Sequence, residues 1–205
     1  MPVSSTQQTG AVVALGGRRI DPEPTLTPRF PFDQVARVRT EITDQLRRSH
    51  AVALVCSAAC GADLIALETA QDMGLRTRII LPFLAARFRK TSVVDRPRPE
   101  FWGRIFDRVA SVARAHRDLV ELDIVESDDA YSAANAIVID EARKLAGIKG
   151  GQSSGSLSLI ALVVWEGASR GADDYTNKFV ELARQAGFRV EQVLTLNSAR
   201  KRAQR

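Results

Sequence analysis

The chain has 205 residues, 45% of them hydrophobic and 26% charged, enough for one well-buried core and short for two. No apolar run approaches the roughly 20 residues of a membrane-spanning helix. The first ten residues lack the basic start and apolar segment of a signal peptide, so a cytoplasmic protein with no membrane partner is expected. Of the five net positive charges, Arg200, Lys201, Arg202 and Arg205 account for four, so the rest of the chain is nearly neutral, which argues against nucleic acid as a partner.

Apolar runs alternate with helix-period segments along the chain. Residues 1–10 read as a flexible N-terminus, 11–196 as one domain and 197–205 as a basic tail. A first strand, Ala11–Leu15, stops at Gly16-Gly17, and a loop with Pro22, Pro24, Pro28 and Pro31 follows. Asp33 caps a helix to about Ser49, with Val35, Val38, Ile42 and Leu46 on one face. The second strand is Ala51–Val55, followed by a helix from Leu64 to Met73, and the third strand is Arg76–Leu81. Phe83–Val94 reads as a short helix or ordered loop, and a helix spans about Glu100–Ala115. Leu119–Val125 fits a short strand, and Asp128 or Asp129 caps a helix through Ala146. Gly147–Ser156, rich in Gly and Ser, reads as a mobile surface loop. A last βα unit covers Leu159–Gly187, with its helix from Asp174 to Gln185, and Arg189–Leu194 is the final strand.

This alternation predicts a Rossmann-like three-layer α/β sandwich, a mostly parallel sheet with helices on both faces. In such sheets ligands bind outside the C-terminal strand ends. The loops after the first three strands and after the late apolar run 159–164 would then face one cleft.

The tripeptide Gly-Ala-Asp occurs twice, each time where an apolar run turns into a helix: Gly61-Ala62-Asp63 and Gly171-Ala172-Asp173. Such turns leave backbone N–H groups free for an anion. Gly16 and Gly17 after the first strand allow close approach of a ligand, and Arg18 or Arg19 can pair with phosphate. Ser57 offers a hydroxyl beside the small Ala58 and Ala59. Asp63 reads either as a helix cap or as an acceptor for ribose hydroxyls or a base edge. Glu68 reads as part of a solvated stripe with Gln71 and Asp72, or as a carboxylate for catalysis.

Phe83 or Phe88 offers a ring for stacking, and Arg89, Lys90, Thr91 and Ser92 offer phosphate donors; a loop pinned by its aromatics accounts for them equally. Tyr131 and Asn135 share a helix face that either edges the cleft or packs inward. Trp165 ends a central strand as core or as a base platform, with Gly167 in the turn beyond. Cys56 and Cys60 have neither the usual zinc nor the usual redox spacing, and His50 and His116 are isolated, so no metal and no required cofactor are expected.

Three ordered motifs resemble the SLOG superfamily, Rossmann-like domains grouped with the DNA-processing protein A and Lonely Guy families. They are Gly16-Gly17-Arg18-Arg19, Ser57-Ala58-Ala59-Cys60-Gly61-Ala62-Asp63, and Glu166 to Asp173. Leu81-Pro82-Phe83, Phe88 to Val93 and Tyr131 with Asn135 look like a bacterial branch of it. The resemblance implies a nucleotide ligand and a sensor that signals to an effector, as a homo-oligomer or with a partner chain, in stress or conflict responses. It also offers a second activity, cleavage of the N-glycosidic bond of nucleoside monophosphates, through a Pro-Gly-Gly-x-Gly-Thr-x-x-Glu motif. Here Ala168-Ser169 stand in place of the Pro-Gly-Gly start, and Tyr175 stands where the glutamate belongs.

The leading expectation is therefore a nucleotide sensor with its phosphates on the backbone of Gly16, Gly17, Gly61, Ala62, Gly171 and Ala172. Arg18 or Arg19 would neutralise them, and Asp63 or Asp173 would take ribose hydroxyls. The hydrolase alternative draws its carboxylate from Asp63, Glu68, Asp173 or Asp174. A single-stranded DNA-associated domain is the third reading.

Overall fold

The computed structural model describes residues 10–125, 127–149, 152–153, 157–171 and 174–197; Ala172, Asp173 and most of the expected N-terminal segment and basic tail lie outside them. In chain order the strands are β1 (Gly10–Gly17), β2 (Ala51–Cys56), β3 (Arg76–Leu81), β4 (Leu119–Glu121), β5 (Ile148–Lys149), β6 (Gln152–Ser153), β7 (Leu157–Trp165) and β8 (Arg189–Leu194). The helices are α1 (Val35–Arg48), α2 (Ala62–Asp72), α3 (Ala85–Phe88), α4 (Pro99–Ala115), α5 (Asp128–Leu145) and α6 (Tyr175–Gln185). A 3-10 turn, Phe32–Gln34, leads into α1, and a π-helical turn, Arg89–Val93, follows α3.

Six strands form one sheet in the order β4-β3-β2-β1-β7-β8, and every pairing in it is parallel. Along β1 the pleat sends Ala11, Val13 and Leu15 into the core under α1, α2 and α4, and Val12 and Ala14 into the core under α5 and α6. A strand buried on both faces is apolar at nearly every position, and this is why β1, β2 and residues 159–164 of β7 read as near-continuous apolar runs. The predicted three-layer α/β architecture is present, and its sheet is wholly parallel.

Local differences have local causes. Gly16 and Gly17 belong to β1 itself, paired with Val163 and Val164 of β7. Asp33 sits within the 3-10 turn, and the N-cap position of α1 is Gln34, which makes no side-chain cap bond. Beyond Glu121 the chain leaves β4, so the strand expected to reach Val125 is three residues long. Part of the Gly/Ser-rich stretch expected as a loop forms the antiparallel pair β5–β6.

The chain builds β1 to β4 outward on one side, then returns to place β7 on the other side of β1. The β1–β7 junction is therefore the topological switch point, where doubly wound sheets leave a crevice at their C-terminal edge. Here the end of β1 is crowded. A Cβ on Gly17 would lie 2.4 Å from Cβ of Ala62 and 2.9 Å from the Val164 carbonyl oxygen. The glycine thus lets α2 approach the sheet. Gly17→Ala is expected to lower stability by about 1–3 kcal/mol, read as a shift of the denaturant midpoint with unchanged slope.

Candidate functional site

Arg18 and Arg19 leave the end of β1 toward opposite sides. Arg18 lies on the β7 side, where its Nε donates to Oε2 of Glu166 at 2.6 Å and its Nη1 to Oδ1 of Asp174 at 2.6 Å. Its Nη2 reaches Oδ2 of Asp174 at 2.7 Å and Oε1 of Glu166 at 3.2 Å. The three side chains are only 8%, 8% and 1% exposed for Arg18, Glu166 and Asp174. Asp174 also caps α6, accepting the backbone N–H groups of Thr176 and Asn177, and it accepts that of Arg170. The Arg170 guanidinium bonds Glu166 from outside at 2.5 Å.

Burial alone would raise the Asp174 carboxyl, but the hydrogen bonds from Arg18 and from the backbone at Asn177 and Arg170 outweigh it and hold it below the usual range. The switch-point crevice is thus filled by a buried ion network. Arg18, expected at a ligand phosphate, has its guanidinium committed to two carboxylates. The same pairing withdraws Asp174 from the role of hydrolytic carboxylate.

Arg19 lies on the β2 side. Its backbone forms an antiparallel bridge with Gly61, while its Nη2 donates to Asp95 and contacts Sγ of Cys60 at 3.6 Å. Gly61 has φ of +110°, and a Cβ there would lie 2.7 Å from the Arg18 carbonyl oxygen. Only glycine fits both demands.

The turn 56–63 offers less of a cradle than expected, because several N–H groups in it and just beyond it are already used. Ala62 donates to the Arg18 carbonyl, Cys60 to that of Ser92, Leu64 to Ala59 and Ile65 to Gly61. The Ala59 N–H goes to Oδ2 of Asp63 at 3.1 Å. Gly16 and Gly17 face Phe179, Ala62 and Val164, so their missing side chains make room for protein and not for a phosphate.

Asp63 is buried, and burial pushes its carboxyl up to about 7, against the opposing Ala59 N–H and the charge of Arg19. Cys56 and Cys60 are both reduced and buried, and burial raises both thiols.

The remaining expected residues spread out. Glu68 joins α2 to its neighbours through Arg39 of α1 and Arg108 of α4, a structural clasp and not a free carboxylate. Phe83 is in the core with Phe88 and Tyr131, its ring 5.8 and 6.0 Å from theirs, so it offers no open face for a base. Thr91 donates to the Arg87 carbonyl at 3.2 Å. Arg89 pairs with Asp107 of α4. Ser57 is half-buried in the turn after β2. Trp165 is half-buried at the end of β7 and donates to Gln192 of β8 at 3.2 Å. Gly167 and Gly171 have φ of 87° and 101° in the turn beyond β7; Asp173 and Ala172 lie outside the described residues.

The open part of this edge lies elsewhere, in a cleft of about 460 Å³ lined by Pro22, Glu23 and the segment Asp95–Arg98. This segment carries none of the expected site residues. Its one signal is the run Asp95-Arg96-Pro97-Arg98-Pro99, two arginines each followed by a proline. Arg98 adopts φ of 64° at the N-cap of α4, and its guanidinium lies 4.4 Å from the Phe32 ring centre. Among the described residues no cluster of His, Cys, Asp and Glu is arranged to hold a metal, and no helix is long and apolar enough to cross a membrane.

Fold and edge together define a doubly wound, Rossmann-like α/β domain with an arginine-rich C-terminal edge. Among solved structures it is similar to DNA processing protein A (DprA) of Streptococcus pneumoniae, at a TM-score of 0.50 and 16% identity over 90% of this chain and 50% of that one. The chain thus spans about half the length of that protein, and at this identity the likeness concerns the fold. No known family model and no curated protein matches the chain, so the narrower superfamily expected from its motifs has no further support. The expectation that nucleic acid is not a partner finds no support in a neighbour named for DNA processing.

Two variants test the electrostatics. Arg18→Met leaves Asp174 and Glu166 buried with less compensation and is expected to cost about 3–5 kcal/mol at neutral pH. The Asp174 carboxyl is held low in the folded wild type, so its stabilisation is present above the unfolded value near ~4 and is lost as pH falls below it. The gap between variant and wild type should therefore narrow on acidification. Asp63 has the opposite sign: its contribution is full below pH ~4 and is lost as pH rises through about 7. Asp63→Asn should flatten that slope and be more stable than wild type above pH 7, by on the order of 1–3 kcal/mol.

Proposed function

We propose that the chain is a nucleotide-binding sensor domain of the SLOG type, which takes a nucleotide or signalling nucleotide at the C-terminal edge of its sheet. In this reading it acts in the cytoplasm and passes occupancy to an effector chain or a second copy. The observation that carries the reading is the open, arginine-bearing cleft on the β2 side of the edge, beside a switch point closed by the protein's own ion network. Arginines that are not consumed by buried carboxylates are what a phosphate-bearing ligand requires.

Of the residues expected at the ligand, Arg19, Ser57, Gly61 and Asp63 belong to this side, and Trp165, Gly167 and Gly171 to the β7 side. Asp63, held near neutrality, acts on the ligand through the neighbouring charge of Arg19.

The second reading, hydrolysis of a nucleoside monophosphate, would draw on Asp63, whose carboxyl burial pushes up to about 7 and which accepts the Ala59 N–H. Against it, Tyr175 occupies the position of the family's glutamate, with its ring 5.9 Å from that of Tyr131. The likeness to a DNA processing protein keeps single-stranded DNA as a further anionic ligand for the same arginines.

The test is thermal unfolding with a panel of mono-, di- and cyclic nucleotides. At a hundred times the dissociation constant a ligand adds about 2.7 kcal/mol, and a clear rise in Tm with at least one nucleotide is expected. No rise with any of them sinks the sensor reading. Release of free base that disappears in Asp63→Asn would favour the hydrolase.

A further inference from the structure

Among the described residues four buried side-chain polar atoms have no hydrogen-bond partner: Nε of Arg19, Nε of Arg96, Nε1 of Trp102 and Oγ1 of Thr69. Three of the four are N–H donors on or beside the 95–98 segment. A buried donor without an acceptor is destabilising, and an acceptor brought by a ligand would relieve it.

The charges agree with the donors. Arg96 and Arg98 line the cleft with Asp95 and Glu23, and Arg19 reaches Asp95 from beside it, so three guanidinium groups stand next to two carboxylates. Asp95 is shared: it accepts Arg19 Nη2, while Arg96 Nε stands 3.8 Å from its other oxygen, beyond hydrogen-bond distance. The carboxylate is thus in place as an internal anion that serves one arginine well and the other poorly.

We propose that this cleft is a phosphate site, in which a phosphate monoester or diphosphate is held by Arg96 and Arg98 and takes Arg19 from Asp95. This rests on the nucleotide-binding reading and deepens it, by moving the phosphate from the switch point to the loop before α4. Three acceptor oxygens on a phosphate suit the guanidinium groups of Arg96, Arg98 and Arg19, which the two oxygens of Asp95 serve incompletely. Exchange of Asp95 for the ligand also supplies a signal. Arg98 is held in a left-handed conformation immediately before Pro99, so loss of the Arg19–Asp95 pair loosens the entry into α4 and the first turn that carries Trp102.

The experiment is calorimetric titration of wild type, Arg96→Gln, Arg98→Gln and Asp95→Asn with AMP, pyrophosphate, adenosine and a single-stranded oligonucleotide. Wild type is expected to bind AMP and pyrophosphate and not adenosine. Each arginine variant should bind about tenfold more weakly, the effect of one charge-assisted contact. Asp95→Asn should bind more tightly, because the competing carboxylate is gone; a gain of affinity cannot come from misfolding. Equal binding of AMP by wild type and both arginine variants overturns the site while the sensor reading stands. Pyrophosphate bound and lost in Arg96→Gln, with no binding of AMP, keeps the site and excludes AMP as its ligand. Binding of the oligonucleotide alone, or of nothing, overturns the proposal.

Discussion

Everything at the C-terminal edge depends on Arg18 being buried between Glu166 and Asp174. Three charged side chains taken out of water are tolerable only when each is paired and hydrogen-bonded. That requirement ties together the end of β1, the turn after β7 and the first residue before α6, segments about 150 positions apart in the chain. Because Asp174 spends its remaining capacity on the N–H groups of α6 and Arg170, the helix start, the turn and the sheet are held by one carboxylate. The crevice that such sheets commonly leave for a ligand is closed from within.

Closure on one side sets the opposite course for Arg19. Beyond the end of β1, Arg18 turns to the carboxylates that follow β7, while the Arg19 backbone bridges Gly61 and carries its side chain to the β2 side. There it meets Cys60, the backbone of Gly61 and Asp95. The electrostatics follow: Asp63 lies within reach of the Arg19 charge but too deep to ionise freely, and the arginines of the 95–98 segment stand at the surface with one carboxylate between them.

The small residues of this edge serve packing first. Gly16 admits the Phe179 ring, Gly17 admits Ala62 and the Val164 backbone, and Gly61 admits the backbone of residues 18–20. A glycine that makes room for a ligand and one that makes room for a neighbouring strand or helix look alike in sequence. Backbone N–H groups are equally ambiguous, since the turn before α2 spends them on Arg18, Ser92 and its own carbonyls.

The order and kind of the main elements were legible in the sequence alone. Unbroken apolar runs at 51–55 and 159–164 suit central parallel strands, and the spacing of Val35, Val38, Ile42 and Leu46 suits a helix with one face on them. The edge was legible in part: the loops after β1, β2 and β7 do meet there, because a parallel sheet places all its strand ends on one side. Which side chains stay available to a ligand was decided by tertiary structure. Arg18 and Arg19 are identical neighbours in the sequence, and only the distant Glu166, Asp174 and Asp95 distinguish them. Glu68 became a clasp because Arg39 and Arg108 come from other helices. The 95–98 segment gained its importance from the Pro22–Glu23 loop opposite it, a juxtaposition that no local pattern encodes.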